Sequence, residues 1–199
     1  MSKVSVEVST LQGIGDAIRA KDGTTELIPV SALAERITAI PAGGGDEKFR
    51  RFVDGSLSEL TAEDLNGVTY IRSYMFSGMQ SLEKVVIPDN VLSICEKAFA
   101  HCQNLTDITI GAGTRYFYIA AFDHAGYYSV EQDDGTDAEF WRPITIRFLH
   151  ETPPFGYQLS LVFPNCEIEK IIVPKGALAA WQTYEYTREY ADKMEEDTE

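Results

Sequence analysis

Between residues 68 and 113 the apolar positions of the chain recur at a fixed interval. Setting 68–90 above 91–113 aligns Val68 with Val91, Ile71 with Ile94, Phe76 with Phe99, Leu82 with Leu105, Val85 with Ile108 and Ile87 with Ile110. Each pair is 23 residues apart, and Phe122 lies a further 23 beyond Phe99. A constant offset of this size predicts stacked units, each burying its apolar edge against its neighbours. Within a unit the alternation of Val85 and Ile87, or of Ile108 and Ile110, has the period of two of a short strand with one buried face. Pro88, Gly111 and Pro174 follow the predicted strands and turn the chain. The phenylalanines and leucines between strands are expected to fill the inside of the coil.

The register is kept at both ends in altered form. Residues 52–67 read as a degenerate opening repeat, with Phe52, Val53, Leu57, Leu60 and Leu65 as its apolar positions. The "ITI" of 108–110 returns at 144–146, an offset of 36 instead of 23, so the third unit, about 114–148, carries 13 extra residues. "EKVVIP" at 83–88 returns as "EKIIVP" at 169–174. In the closing stretch from Ala177, Trp181, Tyr184 and Tyr190 are expected to cover the last open edge as a cap, followed by a frayed acidic end.

The phrases "IRSYMFSGMQSLEKVVIPDNV" and "ICEKAFAHCQNLTDITIG", then "TPPF" and "IEKIIVPKGALAAWQ", resemble leucine-rich repeats of the BspA type over roughly residues 60–193. The resemblance implies an α+β fold: a short solenoid of small strands, closed by a strand at Ile144 to Phe148, the Pro153-Pro154 turn, a strand from Ile171 to Pro174 and a final helix from Ala177 to about Lys193 that carries Trp181. It also implies a role in adhesion or protein binding.

The first 41 residues follow another pattern. Leu11, Ile14, Ala17 and Ile18 share one face of a helix over about 10–21 that Gly23 ends, and Pro29 and Ser31 open a second helix with Leu33, Ala34 and Ile37 inward, closed by Pro41. Two helices of this length need a partner to be stable. "IGDAIRAKDGTTELIPVSALAERITAI" resembles a short module near the start of tail and other virion proteins of bacteriophages and prophages. By that resemblance residues 1–41 are a docking module, with Ile14, Ile18, Arg19, Leu33 and Ile37 as its contacts, and 42–48 form a glycine-rich linker to a repeat domain over 49–199.

Composition narrows the partners. Thirty-one acidic against 17 basic residues give a net charge of −14, which repels phosphate backbones and anionic lipid surfaces, so neither nucleic acid nor membrane insertion is expected. The opening residues lack the apolar core of a secretion signal, which predicts synthesis and folding in a bacterial cytoplasm. Cys95, Cys102 and Cys166 are an odd set without CxxC spacing and read as buried small apolar residues. His101, His124 and His150 have no carboxylate or cysteine at the spacing of a metal site or catalytic triad, and catalytic and phosphate-binding motifs are absent; neither enzyme activity, cofactor nor metal is expected. The acidic segment 130–140, with Asp133, Asp134, Asp137 and Glu139, does not have EF-hand spacing and reads as a solvated loop.

The enlarged unit concentrates aromatics. Some fill the coil, while Tyr116, Tyr118, Tyr127, Tyr128 and Trp141 are candidates for a recognition surface for protein or carbohydrate. Taken together, the residues and both resemblances point to a non-enzymatic virion component, homo-oligomeric by the habit of such appendages. The N-terminus would dock to other virion proteins, and the repeat domain would act in host-surface adhesion or decoration. Two alternatives are a cytoplasmic interaction module and a purely structural stabiliser of the particle.

Overall fold

The alternating segments form strands that pair in parallel, one from each successive unit. In the computed structural model, which describes Arg51, residues 56–156 and residues 158–198, β1 (Glu59–Leu60), β3 (Lys84–Ile87), β5 (Asp107–Ile110), β9 (Ile144–Phe148), β10 (Ile168–Val173) and β11 (Met194–Glu196) lie side by side in one sheet in that order. A second sheet is built from β2 (Tyr70–Ile71), β4 (Ser93–Ile94) and β6 (Tyr116–Phe117). The chain divides into two units, Met1–Asp54 and Gly55–Glu199, and the strands belong to the second. The docking helices expected over 1–41, with Ile14, Ile18, Arg19, Leu33 and Ile37, and the 42–48 linker lie outside the described residues.

The 23-residue offset is the strand register itself. Val85 pairs with Ile108 and Ile87 with Ile110; in the other sheet Ile71 pairs with Ile94, and Ile94 with Phe117. Leu60, Val85, Ile108, Ile146, Ile171 and Met194 consequently form one buried column across six strands. A third column runs through the turns. Phe76, Phe99, Phe122 and Phe163 stack face to face with centroids 5.1, 5.0 and 4.5 Å apart. That spacing follows from the distance between neighbouring strands, about 4.8 Å, so equivalent rings of adjacent turns meet in van der Waals contact.

Side chains also bind the carbonyls of the preceding turn. Asn90 Nδ2 donates to the carbonyls of Leu65 and Val68 (both 2.8 Å) and Thr114 Oγ1 to that of Val91 (2.9 Å), while Ser77 Oγ reaches forward to that of Ala100 in the following turn (3.1 Å). The cysteines join this set instead of serving only as apolar filler. Cys102 is buried, with its thiol donating to the Phe76 carbonyl (3.2 Å); Cys166 is half-buried and donates to that of Phe122 (2.9 Å); Cys95 is half-buried. Burial pushes the Cys102 and Cys166 thiols up to about 12, which keeps them protonated and unreactive.

The C-terminal segment departs from the single helix expected over 177–193. α1 spans Leu178–Thr183; Tyr184 is extended, and a 3-10 turn occupies Arg188–Lys193. Thr183, Tyr184, Tyr186 and Thr187 are poor helix formers, and Thr187 Oγ1 donates to the Trp181 carbonyl, ending the helix with a side chain. Nor does the acidic end fray. Met194–Glu196 adds to β10 as the last parallel strand, held by Lys193 Nζ on the Ile168 carbonyl (2.6 Å), Lys170 on Glu195 (3.1 Å) and an ion pair between Arg147 and Asp197. An unpaired edge on β10 would leave its backbone groups to other chains, and β11 satisfies them.

The cap is anchored by Trp181, fully buried, with Phe148 at 4.7 Å, and its Nε1 donates to the His150 carbonyl (3.2 Å). His150 is buried beside it. Its Nε2 donates to the Thr114 carbonyl (2.8 Å), while Nδ1 has no partner, and burial holds the imidazole below its ordinary range. The unfolded chain takes up this proton at about pH 6.5 and the folded chain only at lower pH. Stability from this group is therefore complete above that value and is lost as the pH falls from there through the folded value. The melting temperature is expected to decline below about pH 6.5, and His150→Gln, which keeps a donor for Thr114, flattens that decline; an unchanged slope would contradict this assignment.

Candidate functional site

The enlarged third unit holds the surface aromatics, and the structure divides them into two groups on different sheets. The thirteen extra residues are not an irregular loop. β7 (Tyr127–Glu131) and β8 (Asp137–Trp141) form an antiparallel hairpin, in keeping with the two aromatic residues in each arm and the Asp134-Gly135 turn. Gly135 has a φ of 79°, and Asp134 Oδ1 accepts from the Thr136 amide (3.0 Å) and hydroxyl (2.6 Å). These hydrogen bonds hold the Asp134 carboxyl below its usual range.

Strand alternation sends the hairpin aromatics to opposite faces. Tyr127 pairs with Trp141, rings 5.5 Å apart, while Tyr128 pairs with Phe140, stacked at 5.3 Å, with the Arg142 guanidinium 4.5 Å over the Tyr128 ring. The first pair pins the root of the hairpin to the turns beneath it. Tyr127 packs edge-on against His124 (5.1 Å) and Trp141 Nε1 donates to the Asn165 carbonyl (3.2 Å). Tyr127 also donates to Glu139 (3.1 Å); partial desolvation, with this carboxylate, raises its phenol. Of the expected recognition residues, Tyr127 thus has a structural duty and Tyr128 is half-covered.

Tyr116 and Tyr118 stand apart from the hairpin, on and just after β6. Phe117 between them is buried, with its ring 4.8 Å from Phe155, which turns its two neighbours outward, 61% and 52% exposed. Ile119 continues the patch at 55% exposed. The preceding turn carries Cys95 and Glu96 at the positions of Tyr118 and Ile119, so the apolar surface is particular to the third turn. Arg115 to Ile119 and Pro154 to Gly156 line an open cleft of about 480 Å³. Farther along the same sheet, Tyr70 occupies the register position of Tyr116, two strands away across the small, buried Ser93. Pro154 and Phe155, placed in the closing turn by sequence, were not anticipated as part of this surface, and only the spatial return of the chain brings them to it.

A second cluster was missed by reading the histidines along the chain. His101 and His124 are 23 residues apart, the repeat offset, and lie one above the other with rings stacked at 4.9 Å. Asp123 Oδ1 is 2.7 Å from His124 Nδ1 and accepts from Asn165 Nδ2 (2.9 Å). The expectation of scattered histidines, none with a carboxylate at the spacing of a metal site or triad, is corrected by the fold, because successive turns superpose His101 on His124 beside Asp123.

No curated protein matches the chain. The family described as BspA type Leucine rich repeat region does match it, in 6 copies over residues 48–131, from before β1 to the end of β7. That stretch holds the turns of Phe76, Phe99 and Phe122 together with Tyr116 and Tyr118, and this part of the chain is similar to the BspA type leucine-rich repeats.

Proposed function

We propose that the protein is a non-enzymatic interaction module, a short leucine-rich-repeat solenoid whose third turn binds a protein or glycan through Tyr116, Tyr118 and Ile119. The observation that carries this reading is the exposed apolar patch at the 115–119 and 154–156 cleft, on a turn whose predecessor carries Ser93, Cys95 and Glu96 at the same positions. Amphipathic aromatics on a rigid scaffold give large contact area at small entropic cost. The similarity of residues 48–131 to BspA type repeats supports an adhesive or protein-binding role.

The finer reading is a bacteriophage or prophage virion component that displays this domain for host-surface adhesion or decoration. It rests on the resemblance of residues 10–41 to virion docking modules. Immunogold labelling of intact particles with antibody against 56–198 tests it: label on the tail or capsid supports it, and protein found free beside unlabelled particles overturns it. For adhesion itself, fluorescently labelled chain is incubated with host cells and counted by flow cytometry. Tyr116→Ser/Tyr118→Ser is expected to keep its stability within about 1 kcal/mol and to lose binding by tenfold or more, about the effect of one removed hot spot. Equal binding by this variant would remove the patch from the account.

A further inference from the structure

We propose that His101, Asp123 and His124 form a binding site for one divalent transition-metal ion of the zinc, cobalt or nickel class. One donor atom from each of the three lies within 4.8 Å of the other two. The donor set, two imidazoles and one carboxylate, is that of borderline transition metals; calcium and magnesium require shells built mostly of oxygen.

The backbone sets the two histidines one above the other before any ion arrives. Gly78, His101, His124 and Asn165 occupy the same position of successive turns, all with positive φ of 55–75°. Each of the first three donates its amide to a carbonyl of the next turn: Gly78 to Ala100 (2.8 Å), His101 to Asp123 (2.8 Å) and His124 to Pro164 (3.2 Å). The left-handed conformation suits glycine and asparagine, and histidine tolerates it. Around this backbone the groups are oriented one by one. Tyr127 packs against the edge of His124, and Asp123 Oδ1 receives hydrogen bonds from His124 and Asn165.

A zinc-type ion with bonds of about 2.0–2.1 Å needs its ligand atoms roughly 3.3 Å apart. His101 supplies the remaining movement. It is exposed, and its ring makes no hydrogen bond among the described residues. Asp123 and His124 are half-buried; the ion replaces the proton held between His124 Nδ1 and Asp123 Oδ1, which is released to solvent, and water from the open side completes the shell. The site lies at the root of the hairpin, where Tyr127 and Trp141 follow His124 in a chain of ring contacts. Metal binding there would cross-link two turns and stiffen the seat of the hairpin.

Titration of the purified, tag-free full chain with Co²⁺ tests the proposal, followed by its visible absorption and by tryptophan fluorescence, with Zn²⁺ as competitor. One equivalent is expected to saturate the visible bands without a thiolate charge-transfer band in the near ultraviolet, and Zn²⁺ to displace it. His101→Asn/His124→Asn keeps the left-handed backbone in the manner of Asn165, so its circular dichroism is expected to stay unchanged while affinity falls by about tenfold or more. Asp123→Asn is expected to weaken binding and to shift the visible bands. Saturation unchanged in the double histidine variant, or wild-type chain that gives no bands, would overturn the site.

Discussion

Replacing Phe99 by alanine is expected to lower the free energy of unfolding by about 3–5 kcal/mol, read from the midpoint of urea denaturation. Phe99 is completely buried between Phe76 at 5.1 Å and Phe122 at 5.0 Å. The cavity left by its ring cannot close cheaply. The amides on either side of it are tied across the turns, Phe76 to the Ala98 carbonyl and Phe99 to the Ala121 carbonyl, both at 2.8 Å. In a stack where each unit touches only its neighbours, a gap in the middle also uncouples the two halves. The transition of this variant should therefore broaden as well as shift. Phe140→Ala serves as the control: that ring is 42% exposed on the hairpin, and its loss should cost within about 1 kcal/mol. A Phe99→Ala variant no less stable than Phe140→Ala would contradict the stacked column.

Gly113→Ala is the second large effect, and its cause is backbone geometry. Gly113 sits directly over the preceding turn, where a Cβ would overlap the Asp89 carbonyl oxygen. Side-chain rotation cannot relieve a clash with backbone, so the two turns would have to part. The strands they carry, β3 and β5, are paired along Lys84 to Ile87 and Asp107 to Ile110. Overpacking against backbone lies at the upper end of the usual range, about 3 kcal/mol, or leaves the chain insoluble. Gly156→Ala, where no atom outside its chain neighbours lies within 4 Å of the added methyl, should change the free energy of unfolding by less than about 0.5 kcal/mol. Equal midpoints for the two variants would mean that 88–90 and 111–113 are not superposed.

The columns of the core were legible in the sequence because their cause is local and periodic. Val85 and Ile108, Phe76 and Phe99, and Leu82 and Leu105 are buried at the offset that predicted them. The parts that were not legible depend on contacts across the fold. The hairpin arms are mostly exposed on both faces, so they lack the alternation that marks a half-buried strand. Met194–Glu196 reads as an acidic tail until β10 offers it an edge. Likewise, His101 and His124 gain significance only when the 23-residue offset is applied to polar residues as well as apolar ones. Among the aromatics, the sequence located the enlarged unit. It could not separate Tyr127, which supports the hairpin, from Tyr116 and Tyr118, which face solvent.

The surface formed by Tyr116, Tyr118 and Ile119 is the centre of the functional account, and photocrosslinking tests it most directly. A benzophenone amino acid is introduced at position 118 and, separately, at Glu169, an exposed residue of β10 in the other sheet. Both full-length proteins are irradiated with intact host cells and analysed by mass spectrometry. The account predicts a discrete crosslinked species from position 118, suppressed by excess unlabelled wild-type chain and absent from position 169. The same yield from both positions, or none from 118, would contradict it.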